Sequence, residues 1–333
     1  MLKKIRHEIG RRYNAFKAVY DEYNLIIKHL GSSLRSKSLD KERAYLLMEL
    51  HTIEKGLSLK EIKIGFGQPR VIHILNLTIS YLKNFQDYTV LNYVLAPISE
   101  YISFHAKHNF KLNEQIFNTY NQVIKLKEKK LKNYGGGTLQ VTKKEILKAS
   151  EIDFETFAKN RFSIRNFTGK PVAPNKIYKA LKIAEKTPSP CNRQPWKNYV
   201  VFDKRLISEI VTIQQGGRQF KDDLACIIVV TSSYTHFFGA EHHQPQVSGG
   251  MYAMSLIYAL HSLGLGTISL NLGIAKKKLN AIYKILGITH DNSPILIIGI
   301  GDISEDLKVA YAERFDYEDY TVVFESSKSI KTT

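Results

Sequence analysis

Three consecutive glycines, Gly135–Gly137, restrict the fold of this chain more than any other sequence feature. A run of three glycines loses too much backbone entropy to remain inside a helix. Before this run, apolar residues recur at helical spacing with few glycines or prolines. The first such set is Ile5, Ile9, Tyr13, Phe16 and Tyr20. The sequence therefore predicts two structural units joined at this point, and a length of 333 residues favours the same division.

The predicted organisation has four parts. Residues 1–134 form a helical, basic N-terminal domain, and residues 135–150 form a glycine-rich linker and a lead-in helix. Residues 151–327 form a second domain, followed by a tail at residues 328–333. In the linker, Thr142 and Glu145 have the spacing of a capping box. The apolar run Val71–Leu82 is predicted to be a buried helix, because it is far shorter than the ~20 residues that a membrane span requires.

After about residue 150, helical segments alternate with short β-branched runs, a pattern typical of a sheet covered by helices. The predicted strands are Tyr199–Phe202, Cys226–Val230, Ile295–Ile298 and Thr321–Phe324. Between the second and third of them, Met251–Leu263 is a strongly apolar helix opened by Ser248, Gly249 and Gly250. Both helices and strands are therefore expected in this half of the chain.

The positive charge is unevenly distributed. Of 48 Lys and Arg and 31 Asp and Glu, residues 1–150 hold 26 and 13, a net +13, which leaves 22 and 18, or +4, for the rest. Such a field attracts polyanions, including nucleic acid, anionic membrane surfaces and phosphorylated substrates. Much of the lysine alternates with apolar residues at helical spacing, as in Val123–Lys130, which favours a solvated helix face. Nucleic acid is therefore not the expected partner.

Several tyrosines lie near these basic residues, but their helical spacing favours core packing over base stacking. They are Tyr13, Tyr20, Tyr23, Tyr45 and Tyr81. The two cysteines, Cys191 and Cys226, form no CxxC pair, so neither a disulfide framework nor a zinc site is expected. The N-terminus lacks the apolar stretch of a signal peptide, and we expect a cytoplasmic protein.

A first candidate site is the arginine segment, residues 161–167, with the sequence RFSIRNF. Arginine presents a forked set of donors that suits phosphate oxygens, and a serine hydroxyl adds another hydrogen bond. The alternative interpretation is an ordinary surface turn flanked by arginines.

A second candidate site is the proline loop, residues 187–196, with the sequence TPSPCNRQPW. It follows an amphipathic helix (Ile177, Leu181, Ala184) and precedes a predicted strand, which is where binding residues are often found. Asn192 and Gln194 offer both donors and acceptors, as the edge of a heterocycle requires. The alternative is an ordinary turn rich in Asn and Pro.

Four motifs follow one another in a recognisable order: RFSIRNF, TPSPCNRQPWKNYVV, GGMYAMSLIYALHSLGLGT and IIGIGD. Together they resemble the successive signatures of the nitroreductase-like flavoprotein family over residues 153–325. The resemblance implies an α+β fold, with a central, mostly antiparallel sheet flanked by helices, here preceded by a mainly helical domain. It also implies an interlocked homodimer that holds FMN at the interface.

The resemblance further implies the FMN contacts. Arg161, Ser163 and Arg165 are similar to the family's binders of the FMN phosphate and ribityl chain. Arg314 resembles a late arginine that closes the phosphate site. Positive charge near the N1 and O2 edge of the flavin is expected from Arg165 or Lys197.

Two further groups are implied to lie along the flavin. The first matches the family's loop along the isoalloxazine, which often comes from the other subunit, and consists of Ser189, Asn192 and Gln194. The second follows the glycine-rich turn LGLGT, where a backbone N–H usually points at flavin N5, and consists of Ser269, Leu270 and Asn271.

The implied activity is that of an FMN-dependent oxidoreductase, in which hydride passes in a ping-pong cycle from NAD(P)H through flavin N5 to a small acceptor such as a nitro compound or a quinone. No catalytic side chain is assigned, because the flavin carries the chemistry. Pro190 stands where a small hydroxyl or alanine is usual, and no Glu-Gly pair follows Leu270. NAD(P)H is therefore implied by the family alone. Cys191 is interpreted as a loop residue without a catalytic role, the alternative being a redox thiol near the flavin.

Other features leave alternatives open. The group His236, His242 and His243 lacks ligand spacing, so no metal is expected. The string HTIEKGL, residues 51–57, leads to GFGQPR, residues 65–70, and is similar to a string in larger nitroreductase-like proteins. Structurally, Gly56 is expected to end a helix through a left-handed cap; functionally, this region is a candidate roof that sets substrate choice.

Two other functions remain as alternatives. One is a specialised flavoenzyme performing dehalogenation, azoline oxidation or a step on a sugar or nucleotide intermediate, including one in a surface-polysaccharide pathway. The other is a polyanion-binding protein that uses its basic half and carries a degenerate flavin site.

Overall fold

The computed structural model describes residues 2–30, 38–59, 61–126, 137–140, 152–305, 309, 316–324 and 330–331. The N-terminal helices are α1 (Leu2–His29), α2 (Leu39–Leu57), α3 (Gln68–Phe85), α4 (Leu91–Lys107) and α5 (Glu114–Lys125). The later helices are α6 (Phe154–Lys159), α7 (Pro174–Ala184), α8 (Lys204–Gln214), α9 (Gln244–Ser262) and α10 (Lys276–Leu286). The strands are β1 (Trp196–Val201), β2 (Cys226–Ser233), β3 (Gly266–Asn271), β4 (Asn292–Gly301), β5 (Val323–Phe324) and β6 (Ile330–Lys331).

The N-terminal part is helical, as predicted. Helices α2 to α5 bury one shared apolar core, and the predicted helix Val71–Leu82 lies within α3. Its inward face is Val71, Ile74, Leu75, Thr78, Tyr81 and Leu82. Near this core, the buried His105 donates from Nδ1 to the Tyr101 carbonyl at 2.8 Å and accepts the Gly65 N–H at Nε2, at 2.9 Å. Both ring nitrogens are thus satisfied with a neutral ring, so this histidine is a structural element.

The expectation that Gly56 ends a helix with a left-handed cap is wrong. Helix α2 continues through Gly56 and ends at Leu57 in ordinary right-handed backbone. The glycine is required by packing instead: a Cβ at this position would lie 2.3 Å from the Phe66 ring. The Phe66 carbonyl in turn accepts a hydrogen bond from the Tyr101 hydroxyl. The HTIEKGL and GFGQPR strings therefore pack against each other.

The prediction that the tyrosines pack in a core is also wrong for those of α1. Tyr13, Tyr20 and Tyr23 are each more than half exposed, whereas Tyr81 is buried as expected. Helix α1 instead contacts the rest of the chain through polar side chains, including an ion pair between Asp21 and Lys276 at 2.6 Å. The apolar spacing predicted the helix correctly but did not show which face it buries.

The C-terminal part contains a four-stranded antiparallel sheet in the order β1-β2-β4-β3. Helices α8 and α10 contribute to the core on one face, and α7 and α9 to the core on the other. The predicted antiparallel sheet flanked by helices is thus confirmed. Strand β3 was not predicted, since it begins at a glycine and carries serine and asparagine. Residues 321–324 are not a strand of this sheet, because β5 pairs with β6.

The apolar helix after the proline loop is longer than predicted: α9 begins at Gln244 and includes Gly249 and Gly250. Three predictions fall outside the described residues: most of the glycine linker, the capping box at Thr142 and Glu145, and the end of the lysine run Val123–Lys130. Gly137 is described, and the next residue, Thr138, donates its N–H to Glu100 of α4 at 2.7 Å. None of the helices in the described ranges is long and apolar enough to cross a membrane.

Helix α2 joins the two parts of the molecule. It contacts the 3-10 helix Pro190–Asn192 in the proline loop and the 3-10 helix Tyr234–His236 after β2. The Tyr45 ring of α2 meets the Phe238 ring edge-on, with centroids 6.1 Å apart. The helical core is thereby fixed directly to the candidate site.

Candidate functional site

The arginine segment lies along the free edge of β3. Ser163 forms a parallel bridge with Thr267, and the Ile164 N–H donates to the Thr267 carbonyl at 2.9 Å. Ile164 and Phe167 are buried in the core, whereas Ser163 and Arg165 are exposed. The alternation of a strand therefore anchors the segment through its apolar residues and leaves its polar residues outside.

The two arginines of this segment are not used in ion pairs within the described parts of the chain. No carboxylate there lies within 4.0 Å of Arg161 or Arg165, and Arg165 only donates to the Ser163 carbonyl at 3.3 Å. Two guanidinium groups and a hydroxyl within five residues are a donor set that fits a phosphate. The chemistry of the segment thus agrees with the predicted anion site.

Ser269, Leu270 and Asn271 occupy the end of β3, on the same edge as the arginine segment. Ser269 and Asn271 are exposed, and Leu270 points into the core. The Asn271 carbonyl accepts from Gln214 Nε2 at 3.0 Å, and its side-chain oxygen accepts the Gly273 N–H at 3.1 Å. The strand therefore presents a fixed polar edge.

The proline loop has an unusual backbone. Cys191, Asn192 and Gln194 have φ values of 50°, 50° and 48°, in the left-handed region that non-glycine residues rarely adopt. Each such residue costs roughly 1 kcal/mol or more, and such residues cluster at functional sites. Ser189 Oγ accepts the Gln194 N–H at 2.9 Å, and the Ser189 carbonyl accepts the Asn192 N–H at 2.9 Å. The loop is thus held closed around the predicted residues.

The buried side chain of Arg193 stabilises this loop. The sequence analysis did not identify Arg193 as a site residue. Its side chain is 1% exposed, and it donates to Glu241 in a bidentate pair at 2.6 and 2.8 Å. It also donates to the carbonyls of Pro190 at 2.9 Å and His236 at 2.7 Å. Its guanidinium carbon lies 5.0 Å from the centroid of the Phe237 ring. A lone arginine in a turn gives no signal that its partner lies 48 positions later.

The histidine group near Glu241 has other roles. The hydrogen bonds from Arg193 lower the pKa of the Glu241 carboxyl, which is thereby occupied. His236 is buried, and burial lowers its pKa to about 4. The His242 and His243 rings contact each other in a tilted arrangement, with centroids 4.1 Å apart. Within the described ranges, no group of three or more His, Cys, Asp and Glu is placed to hold a metal ion.

Helix α2 places His51 at the proline loop. His51 lines an open cavity of ≈ 700 Å³ together with Ser189, Asn192 and Gln194. Its Nδ1 lies 3.0 Å from a carboxylate oxygen of Glu54. The same cavity is lined by Lys182 and Lys186 at the end of the preceding helical region. The structure therefore brings the HTIEKGL string to the predicted binding loop, as a helix rather than as a loop.

The arginine segment and the proline loop lie at opposite corners of the sheet. The proline loop leads into β1 at Trp196, which pairs with Ser232 near the end of β2. The arginine segment pairs with β3 at Thr267, which lies opposite the same β4 residue as Cys226, at the start of β2. From Trp196 to Ser163 the separation is six residues along β2 and four strand spacings, because the arginine segment lies beyond β3. This corresponds to roughly 20 Å along the sheet and roughly 19 Å across it. One chain therefore does not bring the two together.

The remaining predicted residues complete the comparison. Lys197 is exposed on β1, with Nζ 5.5 Å from the centroid of the Tyr199 ring. Cys191 is half-buried and free. Arg314 lies outside the described residues.

Comparisons with known proteins agree with the resemblance. Residues 158–215, which include the arginine segment and the proline loop, match the model of the Nitroreductase family. A Methanothermobacter thermautotrophicus protein, named as a candidate NADH dehydrogenase/NAD(P)H nitroreductase, is 26% identical over 160 residues, covering 48% of this chain and 82% of the relative. An Archaeoglobus fulgidus protein of the same name is 23% identical over 141 residues, covering 42% and 80%. The resemblance predicted for the C-terminal half is thus confirmed.

Solved structures also match this half. A nitroreductase family protein from Streptococcus pneumoniae is 23% identical, with 51% of this chain and 98% of that chain covered and a TM-score of 0.44. An FMN-dependent nitroreductase from Clostridium difficile is 24% identical, with 51% and 98% covered and a TM-score of 0.43.

His236 predicts an acid-sensitive fold. Because its folded pKa of about 4 lies below the ordinary 6.5, the unfolded chain binds the proton more tightly. Above pH 6.5, the neutral His236 contributes on the order of 3 kcal/mol to the free energy of unfolding. This contribution is lost as the pH falls towards 4. We expect His236→Gln to lose much of this pH dependence in urea unfolding at pH 7 and pH 4.5. The exposed His7→Gln is the control, and equal pH dependence in wild type and His236→Gln contradicts the assignment.

Proposed function

We propose, from the match of residues 158–215 to the Nitroreductase family, that this chain is an FMN-dependent oxidoreductase that passes hydride from NAD(P)H to a small acceptor. The observation that carries the proposal is the arginine segment beside β3, in which Arg161 is half-buried, Ser163 and Arg165 are exposed, and neither arginine has a carboxylate partner in the described ranges. Such a set binds a phosphate without first breaking an ion pair.

The residues divide between two tasks. Arg161, Ser163 and Arg165 would hold the phosphate and ribityl end, with Ser269 to Asn271 along the same edge. Ser189, Asn192 and Gln194 would bind the ring from the proline loop, where the amide groups of Asn192 and Gln194 suit carbonyl and ring-nitrogen partners. When bound there, FMN would supply the hydride chemistry between a reduced nicotinamide and the acceptor. The chain supplies binding, orientation and positive charge, from Arg165 or Lys197, at the site of the developing negative charge.

The site requires a homodimer. The arginine segment and the proline loop lie at opposite corners of the sheet within one chain, so a second copy is needed to place a proline loop against an arginine segment. Helix α9 supports this arrangement, because Val247, Met251 and Met254 form an exposed apolar stripe opposite its buried face. A helix that is apolar on all sides is normally covered on all sides.

Helix α2 would act as the roof over the acceptor. Since His51 lines the same cavity as the proline loop, each copy would bring His51 to the flavin whose phosphate the other copy holds. His51, oriented by Glu54, would donate a hydrogen bond to an acceptor oxygen or nitrogen. A roof of this kind favours a selective acceptor, and thus the specialised alternative, over broad reduction of nitro compounds and quinones.

The first test is an absorbance spectrum of the purified protein, followed by anaerobic titration with NADH and with NADPH. We expect flavin bands that bleach stoichiometrically with one or both reductants. A colourless protein that FMN does not reconstitute contradicts the proposal. Salt-sensitive binding to heparin by such a protein would instead support the polyanion-binding alternative.

Arg161→Ala tests the phosphate assignment. Loss of a charge-assisted hydrogen bond, worth ~1.5–3 kcal/mol, is expected to weaken FMN binding about 10- to 100-fold without changing thermal unfolding of the apo-protein. FMN fluorescence titration of the apo-protein measures the dissociation constant. Arg205→Ala, which removes an exposed arginine of α8, is the matched control. Equal FMN affinity in the two variants would remove Arg161 from the site.

His51→Ala tests the roof. We expect the KM of the acceptor to rise roughly fivefold, as for the loss of one hydrogen bond, with flavin content and the rate of flavin reduction unchanged. Lys55→Ala changes an exposed residue one turn further along α2 and serves as the control. Stopped-flow measurement separates the two half-reactions. Unchanged acceptor kinetics across several acceptor classes would exclude a role for His51.

A further inference from the structure

Helix α1 is amphipathic, but its apolar residues lie on the side exposed to solvent. Six residues spaced alternately by four and three positions form its outer stripe, here called the α1 seam: Ile9, Tyr13, Phe16, Tyr20, Tyr23 and Ile27. They are 47–70% exposed, and Val19 beside them is 67% exposed. The opposite side of the helix carries Asp21 and Glu22, which face Lys276 at 2.6 Å and His243 at 3.9 Å. The helix thus presents these two carboxylates to its own chain and the apolar residues of the seam to the outside.

The spacing of the seam suits another helix. Apolar residues at alternating intervals of four and three form the a and d positions of a heptad repeat, which insert between the side chains of a facing helix. Phe16 and Tyr20 already stack along the seam, with ring planes 15° apart. Its exposed surface amounts to roughly 700 Å² if each residue exposes about half of a large side chain. This approaches the ~800 Å² that each partner buries in a stable interface.

Helix α1, on the side opposite the seam, contacts the chain next to the surface proposed for the homodimer. His243, which contacts Glu22 of α1, immediately precedes α9, and Gln246 of α9 lines the same ≈ 620 Å³ groove as Asp21 and Leu25. The exposed stripe of α9 begins at the next residue, Val247. The two apolar surfaces thus belong to neighbouring elements of one chain.

We infer that the α1 seam packs against a helix of a second copy of this chain and extends the homodimer interface beyond α9. This inference rests on the homodimer of the proposed function. It gives the N-terminal extension a task in assembly, and it accounts for the exposure of the apolar seam on the side of α1 opposite Asp21 and Glu22.

Thiol labelling tests the inference in the full-length protein. Phe16→Cys places a thiol in the seam, and Lys17→Cys places one at the adjacent exposed position as the matched control. Labelling of wild type by a maleimide measures the contribution of Cys191, which is subtracted; Cys226 is fully buried, and burial raises its thiol pKa to about 12. We expect the Phe16→Cys thiol to be protected at high protein concentration and labelled rapidly on dilution, whereas the Lys17→Cys thiol is labelled at one rate throughout.

Sedimentation velocity provides the second measurement. We expect Phe16→Glu with Tyr20→Glu to raise the dimer dissociation constant at least about 30-fold, as for the loss of a binding hot spot, while Lys17→Glu with Asn24→Glu has little effect. An unprotected Phe16→Cys thiol in a yellow, dimeric protein overturns the inference and leaves the proposed function intact. Protection only with phosphatidylserine vesicles overturns it in favour of a lipid surface. A monomer that does not retain FMN overturns both proposals.

Discussion

The candidate site depends on the buried guanidinium of Arg193. Removing this group from water is costly, and the cost is offset because Glu241 and two carbonyls accept its hydrogen bonds. In return, the pair fixes the proline loop to the segment after β2. Three neighbouring non-glycine residues remain in left-handed backbone there, and such a conformation persists only where surrounding contacts determine it. The exposed amides of the loop thereby acquire fixed positions.

The second constraint is the position of α2 between two cores. Its inner face packs in the helical core, and Gly56 allows the Phe66 ring to approach closely. Its outer face carries Tyr45 against Phe238 and His51 into the cavity at the proline loop. The N-terminal part is therefore a wall of the candidate site as well as an appendage. This position supports the specialised alternative, because residues from outside the C-terminal sheet and its helices reach the cavity at the proline loop.

The sequence predicted features that repeat locally and missed those that depend on distant partners. The buried strands carry β-branched runs and were found, and the helices of the N-terminal half follow their apolar spacing. Strand β3 was missed because its Gly, Ser and Asn residues resemble a turn, although β4 pairs with it along its length. Gly56 was misassigned because a left-handed helix cap and a close contact with an aromatic ring both favour glycine, and the sequence does not distinguish the two. Arg193 was missed because its partner is 48 positions away.

The contact of α2 with both cores has a thermodynamic consequence. Consider a ligand that binds only while α2 contacts the proline loop. Its binding free energy is then added to the free energy needed to separate the helical N-terminal part from the C-terminal part. Linkage is reciprocal, so whatever loosens the helical core must weaken that ligand by the same factor. The stability of the helical half and the affinity of the cavity at His51 for its ligand are thus thermodynamically coupled.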